Sequence, residues 1–189
     1  MREQFRFREP SHEDAEKLAE LGRDTFIETF GHLYHPSDLH SHLAEVYSEE
    51  AIREELGNPA LSHLVVADGY DLIAFIKTGP LNLPVSAPLA NAGEIKQLYV
   101  RKPFLGHGLG KQLISRAQAQ MESEDIDHLY LSVFSENHRA IRFYEGLGFQ
   151  KCGEYQYPVG THLDLFQRIH VVQILLLYKL VYSIHLRYF

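Results

Sequence analysis

The chain has 189 residues, 45% of them apolar, enough for a packed core and too many for a disordered tail. Its formal charge of -7 excludes the basic surface of a general nucleic-acid binder and favours cationic ligands. The single cysteine, Cys152, excludes an internal disulfide and a cysteine-built zinc site, so a reducing, cytoplasmic setting is expected.

The opening MREQFRFREPSHED is too charged for the apolar centre of a secretory signal. Within it, QFRFREPS alternates apolar and polar residues as an edge strand does. Ser11 offers an N-cap, Asp14 nearly completes a capping box, and Leu18, Leu21, Thr25 and Phe26 follow at helical spacing. PSDLHSHLAEVYSEEAIREELG reads as two short helices ending at Gly57, with Pro59 just beyond. HLVVADGYDLIAFIKTG gives two strands joined by a hairpin turn at Asp68-Gly69. Residues 79 to 93, GPLNLPVSAPLANAG, carry three prolines and read as an exposed loop between adjacent strands. Cover for a substrate entrance and plain surface variation are both open to it.

Beyond the loop, EIKQLYV is a strand, GKQLISRAQAQMESE a helix and DHLYLSVF a strand. NHRAIRFYEGLG is a helix closed by glycine, and FQKCGEYQYPVG a further strand. The order is β, α, α, an antiparallel meander, then β-turn-α-β-α-β. It predicts a mixed α/β layer architecture around one sheet.

VRKPFLGHGLGKQL sets Gly106, Gly108 and Gly110 between a strand and a helix. Such a turn lets main-chain N–H groups converge where the helix dipole is positive, which makes a seat for phosphate oxygens. A tight turn demanded by packing alone is the other reading. The spacing matches neither GxxxxGK[ST] nor GxGxxG, so a nucleoside triphosphatase and a Rossmann dinucleotide site are not indicated.

Together, EIKQLYVRKPFLGHGLGKQLI and VFSENHRAIRFYEGLGF resemble the GNAT superfamily of acyl-CoA-dependent N-acyltransferases. The first is similar to the superfamily's pyrophosphate-binding [QR]xxGx[GA] strand-loop-helix, with Leu105 where Gln or Arg is usual. The second carries N-x-x-A-x-x-x-Y-x-x-x-G-F as Asn137, Ala140, Tyr144, Gly148 and Phe149. LGRDTFIETF, FLGHGLGKQL and NHRAIRFYEGLGF are further similar to the PaiA-type spermine/spermidine acetyltransferases. The resemblance covers about residues 5 to 160 and implies a GNAT-like sheet flanked by helices. That sheet is mostly antiparallel with one parallel, splayed strand pair, in a domain over residues 1–165, and the implied cofactor is acetyl-CoA.

The resemblance also implies roles. The backbone of Leu98, Tyr99 and Val100 would pair with the pantetheine arm like an added strand, although ordinary sheet core uses the same residues. The turn through Leu105, Gly106, His107, Gly108, Leu109, Gly110 and Lys111 would hold the pyrophosphate mainly by backbone N–H groups. Leu105 then removes at most one side-chain contact. Asn137 would hydrogen-bond the cofactor, cap its helix, or do both. Tyr144 would be the general acid for the departing CoA thiolate, against packing as a buried aromatic.

An amine must lose a proton before it attacks. Glu94, eleven residues before the first position of the loop motif, stands where some family members carry a base; a surface Glu94–Lys96 pair is the other reading. Asp24 and Glu28 on the first helix are candidates for gripping a cationic amine.

His32, His35, His40 and His42 crowd around Asp38, but no HExxH spacing occurs and Pro36 interrupts the segment. No metal site is expected there; a polar lid over the acceptor is. The tail FQRIHVVQILLLYKLVYSIHLRYF, residues 166–189, is broken by Gln173, Lys179, His185 and Arg187, too often for a membrane span. Three readings stand for it: a last strand whose apolar extension packs on a second subunit of a homodimer, an interfacial membrane segment, and a reading-frame change. The expected activity is acetyl transfer from acetyl-CoA to a small amine, directly within a ternary complex, with a polyamine as the implied acceptor. Acetylation of a protein N-terminus or lysine, and a silent acyl-CoA-binding sensor, are the alternatives.

Overall fold

The computed structural model describes residues 5–159 and 163–174. Its strands are β1 (Arg6–Arg8), β2 (Ser62–Asp68), β3 (Asp71–Pro80), β4 (Ala92–Val100), β5 (His128–Phe134), β6 (Gln150–Val159) and β7 (Leu163–Gln173). Its helices are α1 (Ala15–Phe30), α2 (Pro36–Val46), α3 (Glu49–Leu56), α4 (Leu109–Ser123) and α5 (His138–Gly146), with short 3-10 turns at His12–Asp14, Gly31–Leu33 and Lys102–Phe104.

Local chemistry sets the helix ends. Asp14 Oδ2 accepts from Ser11 N at 2.7 Å, and Arg8 grips both carboxyl oxygens at 2.6 and 2.7 Å. Those Arg8 hydrogen bonds, against the cost of burial, hold the Asp14 carboxyl at about 2. One 3-10 turn lies between Ser11 and α1, so the helix proper starts at Ala15. Pro36 opens α2, and Ser48 caps α3 by accepting from Ala51 N at 3.1 Å. The β2–β3 hairpin turns at Gly69, whose φ of +61° is one glycine adopts without strain.

The sheet order is β1-β2-β3-β4-β5-β7-β6. The pairs β1–β2, β2–β3 and β5–β7 are antiparallel, whereas β4–β5 is parallel. This is the mostly antiparallel α/β sheet with one parallel pair that the family resemblance implies. The parallel ladder runs from Ala92↔His128 to Ile95↔Leu131, and residues 96–100 of β4 lie beyond it. The start of the tail is ordinary sheet, with Gln167 to Gln173 opposite Phe134 to His128. Residues 175–189 lie outside the described residues, as do the readings that depend on them. Among the described residues no helix is long and apolar enough to cross a membrane.

Two compact units divide the chain, and β4 contributes to both. The first, with residues 5–79 and 96–117, buries Leu18 and Leu21 of α1, Ile52 of α3, Val65 of β2 and Phe75 of β3 in one cluster, on which Tyr99 packs. Gly22 belongs to this unit for a steric reason: a Cβ there would stand 2.6 Å from Cδ1 and Cε1 of Tyr47, whose ring is buried. The second unit, with residues 80–95, 118–158 and 164–174, buries Leu129, Leu131, Ile141, Phe149, Ile169 and Val172. It also buries His170 completely, with no hydrogen-bond partner on either ring nitrogen among the described residues. Burial pushes that imidazole below its ordinary pKa.

Two predictions follow from these cores. Gly22→Ala gains about 1 kcal/mol of helix propensity but should lose about 1–3 kcal/mol to overpacking against Tyr47. Urea denaturation measures the balance, and a variant as stable as the parent would show that the ring has room to move. Because His170 binds its proton less readily folded than unfolded, its contribution to stability is full above about pH 6.5 and is lost on acidification. Melting temperature should therefore fall less steeply in His170→Leu than in the parent from about pH 7 to 5. Parallel curves would remove His170 as the cause.

Candidate active site

The glycine turn is fastened before it begins. Arg101 N donates to Ile73 O at 2.8 Å, and its guanidinium donates to Leu72 O at 3.2 Å and Asp24 Oδ2 at 2.8 Å. The 3-10 turn Lys102–Phe104 follows, and Leu105 N closes it by donating to Lys102 O at 3.2 Å. Gly106 and Gly108 then take φ values of +88° and +76°, in the left-handed region that side chains resist. Added Cβ atoms would meet nothing within 4 Å, so backbone conformation rather than crowding selects glycine, and the space beside the turn is open.

Leu109 starts α4 with its side chain buried, and Gln112 N donates to Gly108 O at 3.1 Å. The first N–H groups of a helix have no carbonyl of their own turn to meet, and they carry the positive end of its dipole. His107 is exposed but held, its ring edge-on to Phe5 at 6.2 Å, while Phe104 lies 6.0 Å from Phe5. Leu105 and Gly110 are half-buried, and Lys111 is exposed on the first turn of α4. Open main chain, a helix start and an exposed ammonium group together suit an anion.

In the same unit, Leu98, Tyr99 and Val100 are half-buried. The Tyr99 ring lies 5.5 Å from Phe75, and its hydroxyl accepts from Tyr47 Oη at 3.5 Å. Gln97 Nε2 donates to the same Tyr47 oxygen at 3.2 Å. Burial, then the neighbouring Tyr99, pushes the Tyr47 phenol well above its ordinary pKa. Sequence reasoning missed Tyr47, because its partners lie far along the chain on β4. Asp24, expected to grip an amine, instead pairs with Arg101, while Glu28 is exposed on α1.

The second unit holds the remaining predicted residues. Glu94 is buried, 8% exposed, rather than on the surface. Its Oε2 accepts from Asn82 N at 2.8 Å, and its register partner on β5 is Tyr130. Asn137 caps α5, its Oδ1 accepting from Ala140 N at 3.1 Å. Tyr144 is buried on α5, with ring centroids 5.2 Å from Phe143 and 5.7 Å from Phe149. The motif thus does structural work at both polar positions.

The histidines of α2 go separate ways. His42 packs 4.7 Å from the Phe26 ring, where burial lowers its pKa, and His35 Nδ1 meets Ser37 Oγ at 2.8 Å. No group of three or more His, Cys, Asp or Glu among the described residues is placed to hold a metal ion.

Comparison with known proteins bears on this geometry. A relative from Lactobacillus delbrueckii subsp. lactis, an uncharacterized N-acetyltransferase in the pepI 3' region, is 27% identical over 151 residues, covering 79% of this chain and 87% of its own. The spermidine N(1)-acetyltransferase of Thermoplasma acidophilum is 28% identical over 147 residues, 76% of this chain and 86% of its own. The crystal structure of the PaiA N-acetyltransferase from Thermoplasma acidophilum, in complex with coenzyme A, superposes with a TM-score of 0.70 at 25% identity, covering 87% of this chain and 98% of that one. The acetyltransferase (GNAT) family model matches residues 18–149, a span that takes in the glycine turn, Asn137 and Tyr144; the chain belongs to that family.

Proposed function

We propose that the protein is an acetyl-CoA-dependent N-acetyltransferase that acetylates a polyamine directly, within a ternary complex. The glycine turn carries this reading: Gly106 and Gly108 hold a backbone only glycine adopts easily, with open space beside it and a helix start behind. Those features fit a pyrophosphate, and the N–H groups from Gly106 to Lys111 would hold it. The backbone from Leu98 to Val100, beyond the parallel ladder, would take the pantetheine arm, and Asn137 would add a polar contact. The name of the Thermoplasma relative and the charge of -7 support a cationic polyamine as acceptor. A cytoplasmic setting suits the exposed free thiol of Cys152.

Acetyl-CoA supplies a thioester, an acyl group already activated for attack by an amine. An ammonium group with a pKa of about 10 has no lone pair at neutral pH, so a base comes first. Glu94 would take that proton. Tyr144 would hold a proton at Oη for the sulfur as the carbon–sulfur bond breaks. The exposed Glu28 would contribute charge that draws the amine in rather than reaction chemistry, whereas Asp24 is already engaged by Arg101.

Three outcomes test the reading. Purified protein given acetyl-CoA should release thiol with spermidine or spermine; release with lysine peptides alone would overturn the polyamine acceptor, and silence with CoA still binding would make the protein a sensor. Tyr144→Phe should lower kcat by about 10- to 1000-fold with little change in the KM for acetyl-CoA. Gly108→Val forces a β-branched residue to positive φ and should weaken CoA binding by about tenfold or more in calorimetry, roughly the loss of one charge-assisted hydrogen bond. Unchanged affinity would remove the turn from the cofactor site.

A further inference from the structure

The loop between β3 and β4, residues 81–91, is held to the second unit by its main chain. At one end Asn82 N donates to Glu94 Oε2 at 2.8 Å. Near the other, Leu89 N donates to Tyr130 Oη at 3.1 Å. Glu94 and Tyr130 are direct partners in the parallel β4–β5 ladder, so two adjacent buried side chains on one sheet face grip two points of a single loop. The loop's exit is fixed as well. Asp127 N donates to Asn91 O at 2.8 Å, Asn91 Nδ2 donates to Asp127 Oδ2 at 2.8 Å, and His128 Nδ1 meets Ala90 O at 3.0 Å.

Both grips come from buried side chains. Tyr130 is 2% exposed and Glu94 8%, yet each reaches a residue of an exposed loop, and Leu89 itself is 47% exposed. Buried polar groups are kept where they have partners, and here the loop backbone is a partner for both. Neither bond uses a loop side chain, so the contact depends on where the backbone runs and not on which residues fill the loop. Fixing a loop at a second point narrows the positions its first point can sample.

We infer that Tyr130 is a positioning residue for Glu94, acting through the loop: its hydroxyl fixes Leu89, which keeps the Asn82 N–H on Glu94 Oε2 and holds the carboxylate in one orientation. The inference rests on Glu94 as the base that takes the amine's proton. A base works when its lone pair meets the proton at hydrogen-bond distance and in line, so a carboxylate steadied at one oxygen is set for transfer in a way a rotating one is not. The charge-assisted bond from Asn82 is of the stronger kind, which suits it to that task.

Tyr130→Phe removes the hydroxyl and keeps the ring; Leu89→Pro removes the donor and leaves Tyr130 untouched. Each should lower kcat by about tenfold, the effect of one hydrogen bond, with the KM for acetyl-CoA unchanged. Each should also speed amide hydrogen exchange at Asn82, although neither substitution touches Asn82 or Glu94. Wild-type kcat in both variants, or a lower kcat with Asn82 as well protected as in the parent, overturns the inference. Glu94→Gln separates the two readings. Wild-type turnover in Glu94→Gln removes the base and the positioning role with it, whereas impaired turnover beside unaltered Asn82 exchange in Tyr130→Phe overturns the positioning role alone.

Discussion

The rest of the structure depends on how β4 divides its hydrogen bonding. Its first residues form a parallel ladder with β5 that ends at Ile95↔Leu131, and the strand then continues to Val100 beyond that ladder. Backbone N–H and C=O groups need partners wherever water is excluded, so a strand that leaves a ladder requires something to replace it. Several features of the candidate site attach to this strand, while Asn137 and Tyr144 belong to α5. Glu94 lies in the ladder, Gln97 and Tyr99 lie beyond it, and the glycine turn follows from its last residue.

Local chemistry was legible in the sequence and distant pairing was not. The Ser11 and Asp14 box, the Asn137 cap, the Gly69 turn and the glycine turn through Gly106 and Gly108 all follow from residue types within a few positions of one another. The parallel pair was legible through the family resemblance. The Tyr47–Gln97 bond, the Asp24–Arg101 ion pair and the burial of Glu94 join residues far apart in sequence, and no spacing rule encodes them. Asp24 shows the cost of reading a carboxylate by its element alone. On α1 it looks available to a cation, and the fold gives it one of its own.

The acidic balance of the chain is likewise redistributed by the fold. Asp14 is bound by Arg8, Glu55 by the buried Lys77 at 2.7 Å, and Asp24 by Arg101. Removing Lys77 would leave the Glu55 carboxylate partly buried beside His63, whose Nε2 stands 3.7 Å from it. Pairs of this kind specify an arrangement more than they stabilise it, since desolvation offsets much of their attraction. Net charge therefore speaks to which ligands approach the surface, while the placement of each carboxylate decides what it can do on arrival.

Gly22 and Tyr47 form a single evolutionary character. The tyrosine ring occupies the volume that any side chain on Gly22 would claim, and its hydroxyl is bound by Gln97 on β4. Among descendants of this sequence, position 22 gains a methyl group without overlap once position 47 has become smaller. Sterics favour one order for those two changes: losing the ring first avoids the overlap, and the interval between them leaves a cavity beside α1 and Gln97 without that partner.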